Sequence, residues 1–258
     1  MSYPFYQGGI RLPAFSKAER NVAKASSHHC IAHTVLGDGD GCRMQGESLL
    51  ELCNLLLLNA MLNVASLQEQ VRFRYGWDDG DQKQHVFDVV ATLHCGSRIA
   101  FAVKPEVRLA SGRFLIEMQE VAWWVREEGF ADDVRIMSEA DVDPVDLSNA
   151  KILAAVRPED PVADKIARAV VSELPHGGGK TLHELTLNTG MSARGYRALI
   201  RLLRTGHLRL QKHEIIKPRT IVVRSENDAG GVFPQFKDKL VVRPDRFERG
   251  SEDQKFAA

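Results

Sequence analysis

The spacing of apolar residues predicts alternating helices and strands in the first part of the chain. A leucine-rich run from Glu47 to Ala60 contains no Gly or Pro, which favours a largely buried helix. In the next segment, Val64–Tyr75, the side chains of Val71, Phe73 and Tyr75 alternate with arginines. That alternation is typical of a half-buried strand, because successive side chains of a strand point to opposite faces.

Two further strand-like runs, His85–Leu93 and Arg98–Val103, are separated by a short segment that contains Gly96. A glycine between two such runs predicts a β-hairpin. If the turn is centred on Gly96, Asp88 lies directly opposite Lys104 across the hairpin.

A predicted helix from Gly112 to Glu128 and a predicted strand over Val134–Met137 follow the hairpin. The resulting order of helix, strand, hairpin, helix and strand predicts an α/β domain with a mixed sheet. We expect this domain to occupy residues 1–145.

The second part of the chain predicts three helices followed by a small hairpin, the pattern of a winged helix-turn-helix. We assign this module, with its connector, to residues 146–224. Ser192 is a suitable N-cap for the third helix, and Gly206 ends it. Residues 225–258 predict a flexible tail, apart from a docking segment at Lys239–Val242. The predicted helices are 164–174, 182–189 and 192–205, and the predicted strands are 207–211 and 220–224.

The composition is that of a globular protein. Of the 258 residues, 44% are hydrophobic and 26% are charged, which argues against collagen-like, coiled-coil and disordered chains. The sequence has no run of about 18–20 apolar residues to cross a membrane, and its first residues lack the pattern of a signal peptide. We therefore expect a cytoplasmic protein with free thiols and no membrane partner.

The formal net charge is zero, but the charges are unevenly distributed. Residues 1–179 hold 18 basic and 25 acidic residues, whereas residues 180–258 hold 16 basic and 9 acidic residues. The overall charge argues against a nucleic-acid-binding protein, whereas the basic second part is compatible with one.

Asp88 stands in an otherwise apolar strand, where an unpaired carboxylate costs several kcal/mol. It either forms a cross-strand pair with Lys104 that serves packing, or it takes part in chemistry. Glu51 likewise either marks the solvent side of its helix or joins the other two residues. An Asp and a Glu beside a Lys suit phosphodiester hydrolysis, because carboxylates bind Mg²⁺. The ammonium group can orient the attacking water and offset charge on the phosphate.

Four segments occur in a characteristic order along the chain. They are ESLLE (Glu47–Glu51), LQEQVRF (Leu67–Phe73), VFDVV (Val86–Val90) and AVKPE (Ala102–Glu106). Their order resembles the TnsA-like endonucleases of heteromeric bacterial transposases, and the resemblance covers roughly Ser26 to Asp141. This family belongs to the PD-(D/E)-x-K superfamily, whose members have a restriction-endonuclease-like fold.

The resemblance implies that Glu51, Asp88 and Lys104 are catalytic. It also implies that Glu51, Asp88 and the Val103 carbonyl hold Mg²⁺, with Mn²⁺ as a substitute. The expected activity is cutting or nicking of DNA at mobile-element ends, with a transposase and an ATPase regulator as partners. Ala102 stands where the family usually has Glu or Gln. The alternative is therefore a catalytically degenerate protein that binds DNA or assists assembly.

Four arginines of the third predicted helix of the winged module follow one another at steps of three, four and three, which places them on one helical face. No acidic residue lies within Ser192–Arg209 to pair with them. We therefore expect this face to bind the backbone of double-stranded DNA, although a solvated, salt-bridged face is the simpler alternative. Lys212, Lys217 and Arg219 flank the predicted wing. The four arginines are Arg194, Arg197, Arg201 and Arg204.

A DNA-binding protein of this kind would work in the bacterial nucleoid. A winged-helix transcriptional regulator is a third possibility.

Overall fold

The computed structural model describes residues 5–6, 9–10, 12–20, 22, 30–77, 80, 82–175, 177–225 and 240–242. None of the described helices is long and apolar enough to cross a lipid bilayer. The helices are α1 (Leu49–Ala60), α2 (Glu106–Leu109), α3 (Arg113–Glu127), α4 (Pro144–Ala155), α5 (Pro161–Ser172), α6 (Leu182–Thr189) and α7 (Ser192–Arg204), with a 3₁₀ turn at Glu139–Asp141. The strands are β1 (Phe5–Tyr6), β2 (Gly9–Ile10), β3 (Ala32–Leu36), β4 (Cys42–Gly46), β5 (Val64–Tyr75), β6 (Lys83–Leu93), β7 (Arg98–Val103), β8 (Asp133–Met137), β9 (Gly179–Thr181), β10 (Leu208–Leu210), β11 (Ile221–Arg224) and β12 (Leu240–Val241).

The largest sheet has five strands in the order β12-β8-β7-β6-β5. Its neighbouring strands are antiparallel, except for the parallel pair β7 and β8. Leu58 of α1 packs with Phe101 on one face of the sheet, and Val121 of α3 packs with Ala100 on the other face. The predicted α/β fold with a mixed sheet between helices is therefore confirmed.

The register of the β6–β7 hairpin differs from the predicted one. Thr92 pairs with Arg98, so the turn is centred on Cys95 rather than on the following glycine. The predicted direct facing of Asp88 and Lys104 is therefore wrong, and the register sets Asp88 level with Ala102. The shift is two residues, which preserves the face to which each side chain points, because the side-chain period of a strand is two.

The second part of the described chain contains α5, α6 and α7 beside a three-stranded antiparallel sheet in the order β10-β11-β9. β9 was not predicted, because it is only three residues long and contains Gly179. Ser192 is the first residue of α7 rather than its N-cap. The chain enters the helix through Gly190 in the left-handed region, and the hydroxyl of Thr189 accepts the N–H of Met191 at 3.3 Å.

The predicted division at residue 145 falls at the beginning of α4, which packs against both α1 and α7. Leu55 of α1, Leu153 of α4 and Leu199 of α7 belong to one continuous apolar core. This core also contains residues on one face of the large sheet. Apolar burial therefore joins the two predicted modules through α4.

Part of the predicted tail adds a strand to the large sheet. Leu240 pairs with Ile136 of β8, and the buried side chain of Val242 joins the core on the α3 side. The predicted docking of this segment is thus confirmed for residues 240–242. Residues 226–239 and 243–258, which carry the rest of the predicted flexible tail, lie outside the described residues.

The turn after α7 offers a test of the contact between the two modules. Gly206 has a φ of 77°, and a Cβ at this position would lie 2.6 Å from Leu62 Cδ1. Gly96 has a φ of 91° with no neighbouring atom within 4 Å, so it is a matched control for backbone strain alone. We expect Gly206→Ala to lower the free energy of unfolding by up to about 1 kcal/mol more than Gly96→Ala, because only the former must displace the Leu62 side chain. Urea denaturation measures both, and equal losses would contradict the close approach.

Candidate active site

Strands β5 and β6 both change faces at one level of the sheet. Val71 and Phe87, which pair with each other, face the core on the α3 side. Val89, only two residues after Phe87, faces the core on the α1 side. Gln70 lies between the Glu69–Val89 pair and the Val71–Phe87 pair, and it has a φ of 52°. This conformation interrupts the regular alternation of the strand. Gln70 and Asp88 therefore occupy the level at which the sheet is distorted.

Asp88 lies where β6 leaves β7. The last paired residues before this point are Val89 and Phe101. Beyond them, the Oδ2 atom of Asp88 accepts the backbone N–H of Val103 at 2.7 Å, so the side chain takes the place of a strand partner. The Asp88 side chain therefore fills the gap between two diverging strands.

The electrostatic environment of Asp88 disfavours its charge. Burial is the main cause that raises the pKa of this carboxyl to about 7, and repulsion by Glu51 adds to it. Lys104, the Val103 N–H and Arg20 act in the opposite direction. Glu51 and Lys104 are thus both close enough to act on the Asp88 carboxyl group.

Glu51 is held at the beginning of α1 by several donors. The hydroxyl of Ser48, the N-cap, accepts the Glu51 N–H at 3.1 Å and donates to Glu51 Oε1 at 2.9 Å. Glu51 Oε2 accepts the Glu47 N–H at 2.7 Å and the Gln70 side-chain amide at 3.3 Å. The side chain is buried, so the alternative that Glu51 marks the solvent side of the helix is wrong. The spacing of Ser48 and Glu51 also stabilises the helix end.

Lys104 follows β7 directly. Its N–H donates to the Met137 carbonyl at 3.0 Å, and its Nζ lies 5.5 Å from the centroid of the Phe114 ring. The strand end and the aromatic ring fix the position of the lysine. Ala102, two residues earlier, is buried in the apolar layer on the α3 side and offers no oxygen. The Val103 N–H is bonded to Asp88, and its carbonyl as a metal ligand stays a prediction.

Two polar residues of this cluster were not predicted as site residues. Arg20 donates from Nε to Gln70 Oε1 at 3.1 Å and from Nη2 to Glu47 Oε2 at 2.7 Å. Gln70 is completely buried. Gln70 has no local signal, because it ends the polar run Gln68–Gln70 in a strand that is predicted to be half-buried. Arg20 lies in a loop and has no local signal either.

The predicted DNA-binding face of α7 is turned toward other parts of the chain. Arg201 is only 8% exposed, and its Nε donates to Asp164 Oδ1 at 2.7 Å. Arg204 donates to Asp38 Oδ1 at 2.8 Å and to the Gly37 carbonyl at 2.9 Å. The expectation that this face has no acidic partner is wrong, because α5 and the β3–β4 turn supply the partners. Arg201 thus ties α7 to α5 within the second module, and Arg204 ties α7 to the first module. Their contact with DNA stays a prediction.

The other two arginines of the face are exposed but also have partners. Arg194 makes a two-pronged contact with Asp160, at 2.7 and 2.9 Å, which is the main reason why the pKa of that carboxyl falls to about 2. Arg197 donates to the Ala155 carbonyl at 3.1 Å. Lys212 is exposed in the segment between β10 and β11, where the sequence predicts the wing.

A second acidic cluster lies beside the beginning of α4. Among the described residues, Asp143, Asp146 and His213 form the one group of three side chains with suitable metal-ligand atoms. His213 Nε2 lies 2.8 Å from Asp146 Oδ1, and Asp143 caps α4 by accepting two backbone N–H groups. Asp143 and His213 are exposed, and these contacts account for the cluster as a link between α4 and the β10–β11 segment.

The raised pKa of Asp88 predicts how the metal-free protein responds to pH. Because the folded-state pKa lies above the usual value, this group favours the folded state below about pH 4, and that contribution is lost as the pH rises through about 7. Asp88→Asn removes the buried charge. The buried charge costs several kcal/mol at pH 8, and each kcal/mol shifts the melting temperature by about 2–4 °C. We therefore expect the melting temperature of Asp88→Asn to exceed that of the wild type by at least about 5 °C at pH 8 and to match it at about pH 4. Thermal melts at both pH values check this, and an equal change at the two would contradict it.

A buried and an exposed arginine of this face predict losses of stability of very different size. Arg201→Ala leaves Asp164 buried without its partner, so we expect a loss of about 3–5 kcal/mol in the free energy of unfolding. Arg194→Ala removes an exposed pair and should change stability little. Denaturant titration measures both, and a stable Arg201→Ala variant would argue that the face is free for another partner.

No protein-family model matches the chain, and no curated protein matches its sequence. The resemblance to the TnsA-like endonucleases therefore stays a prediction. It depends on the order of four short segments in the sequence and on the proximity of Glu51, Asp88 and Lys104 in the structure.

Proposed function

We propose that the chain is a Mg²⁺-dependent DNA endonuclease of the TnsA-like type, which cuts or nicks DNA at mobile-element ends together with transposase partners. The observation that carries the proposal is the buried Asp88 carboxylate, which lies near Glu51 and Lys104 where β6 and β7 diverge. A structural ion pair accounts less well for this arrangement, because the two carboxylates repel each other and raise the cost of burial.

The residues present fit a divalent cation. Two buried carboxylates concentrate negative charge, and their oxygen atoms are the ligands that Mg²⁺ prefers. A cation between them would remove the repulsion that raises the pKa of Asp88. Because Ala102 supplies no oxygen, the Val103 carbonyl, water and phosphate oxygens would complete the coordination.

The proposed roles of the side chains follow from their positions. A bound cation polarises the phosphate and lowers the pKa of its water. Asp88 and Glu51 hold the cation as carboxylates, and Ser48 keeps the Glu51 carboxylate oriented. Lys104, fixed at the strand end beside Phe114, orients the attacking water and offsets the charge that develops on the phosphate.

We further propose that α5, α6, α7 and the β9–β11 sheet form a winged helix-turn-helix that holds the DNA backbone. The proposed contacts now centre on the exposed Lys212, Lys217 and Arg219 of the segment between β10 and β11. The positive net charge of residues 180–258 supports this assignment. The corresponding location is the bacterial nucleoid, and an ATPase regulator is a further proposed partner.

A non-catalytic assembly protein is the second candidate. The observation that favours it is Ala102, whose side chain is buried in the apolar layer against α3 at the position where the family usually has Glu or Gln. In this case the nuclease-like domain is a scaffold, and the Asp88 site binds no metal. Metal binding therefore separates the two candidates.

Cleavage of supercoiled plasmid by the full chain tests the proposed activity. We expect nicking or linearisation with Mg²⁺ or Mn²⁺ when transposase partners are present. Asp88→Asn should reduce the rate at least about 100-fold, as loss of a preorganised polar group in an active site commonly does. Asp132→Asn is the matched control, because its carboxylate accepts the Arg98 N–H at the opposite end of β7.

Undiminished cleavage by Asp88→Asn would refute the assigned site. If the wild type neither cleaves with its partners nor binds Mn²⁺, the assembly-protein alternative is the better explanation.

A further inference from the structure

Gln70 adopts a backbone conformation that its residue type disfavours. Its φ is 52°, a region that costs a non-glycine residue about 1–2 kcal/mol. The flanking residues keep their regular partners, since Glu69 pairs with Val89 and Val71 pairs with Phe87. Strain at a single residue inside an otherwise regular ladder persists only where the surroundings impose it, and it is commonly associated with function.

The side chain of Gln70 is also unusual for a buried strand position. It is completely inaccessible to solvent, although an apolar residue would avoid the cost of burying an amide. A glycine would avoid the backbone strain. Stability alone therefore favours other residues at this position, so the carboxamide itself needs an explanation.

The carboxamide links two charged groups of opposite sign. Its Oε1 accepts from Arg20 Nε at 3.1 Å, and its Nε2 donates to Glu51 Oε2 at 3.3 Å. A guanidinium group only donates and an ionised carboxylate only accepts, so these partners fix the orientation of the amide. Neither Glu nor Leu at position 70 could make both contacts.

Arg20 extends from this amide toward the surface. Its side chain is 36% exposed, and its Nη2 lies 2.7 Å from Glu47 Oε2. Through the Gln70 amide the guanidinium group is linked to the Glu51 carboxylate, so it lies beside the candidate cluster. A guanidinium group at the edge of a phosphodiesterase site is suited to bind a phosphate oxygen of the substrate.

We propose that Gln70 is a positioning residue that couples the metal-binding carboxylate of Glu51 to Arg20, and that Arg20 binds a phosphate of the DNA. This inference rests on the proposed nuclease function. Gln70 touches neither metal nor substrate. Its amide keeps Glu51 directed toward Asp88 and keeps the Arg20 guanidinium beside the same site.

Substitution of Gln70 by Gly separates positioning from stability. Gln70→Gly relieves the backbone strain but leaves a cavity and removes a donor to Glu51, so we expect the melting temperature of the metal-free protein to be equal to or lower than that of the wild type. Its affinity for Mn²⁺, measured by electron paramagnetic resonance, and its rate of plasmid cleavage should each fall about 10–100-fold, as for other residues that orient a metal ligand. Gln68→Leu is the matched control on the same strand, because the Gln68 amide donates to the Lys17 carbonyl rather than to Glu51, and it should leave both quantities unchanged.

Gln70→Glu identifies which contact matters. It keeps the length of the side chain and an acceptor for Arg20, but it lacks the donor to Glu51. We expect the affinity for Mn²⁺ to fall as it does in Gln70→Gly. If Gln70→Gly folds poorly, Gln70→Glu provides the test in its place. Retained Mn²⁺ affinity in Gln70→Glu would overturn the inference.

Arg20→Met tests the phosphate contact. In the Asp88→Asn background, which prevents cleavage, we expect its affinity for duplex DNA to depend less on salt, with a slope reduced by about one. An unchanged slope would overturn this part of the inference.

The outcomes distinguish the inference from the proposed function. If the wild type cleaves DNA and Gln70→Gly cleaves and binds Mn²⁺ equally well, the inference is wrong while the nuclease function stands. If the wild type neither binds Mn²⁺ nor cleaves, both are wrong.

Discussion

Burial of the Asp88 carboxylate between two diverging strands is the constraint on which the candidate site depends. The β6–β7 ladder is replaced at this level by a contact between the Asp88 side chain and the Val103 N–H. That contact satisfies one oxygen of the carboxylate but does not cancel the repulsion from Glu51. Because buried like charges are costly, the arrangement that keeps these groups together lowers the stability of this part of the fold. Preorganised charge of this kind is what a cation-dependent hydrolase requires.

The surroundings of the site hold it in place through polar contacts from separate parts of the chain. Ser48 positions Glu51 from within the same helical turn. Gln70 positions the same carboxylate from β5, in a strained backbone conformation. Arg20 reaches the cluster from the loop that precedes β3. Because these contacts come from three elements, the geometry of the site depends on the packing of α1 against the sheet rather than on any one motif.

The arginine face of α7 has intramolecular partners that its spacing does not predict. Helical periodicity correctly places the four arginines on one face, but it contains no information about what that face contacts. Asp160, Asp164 and Asp38 come from α5 and from the β3–β4 turn, far away in sequence. Because Arg201 and Arg204 are engaged within the protein, the proposed DNA contacts centre on the exposed segment between β10 and β11. The contact of Arg204 with Asp38 joins α7 to the first module, which contains the candidate site.

The sequence by itself determined the type and approximate bounds of most elements, because apolar periodicity and glycine turns are local signals. It also singled out Asp88 and Lys104, since charged residues in apolar strands are conspicuous against their neighbours. Only the tertiary structure decided the hairpin register, the burial of Glu51, the partners of Arg201 and the role of Gln70. Each of these depends on which residues distant in sequence meet across the packed core, and such meetings leave no trace in local periodicity.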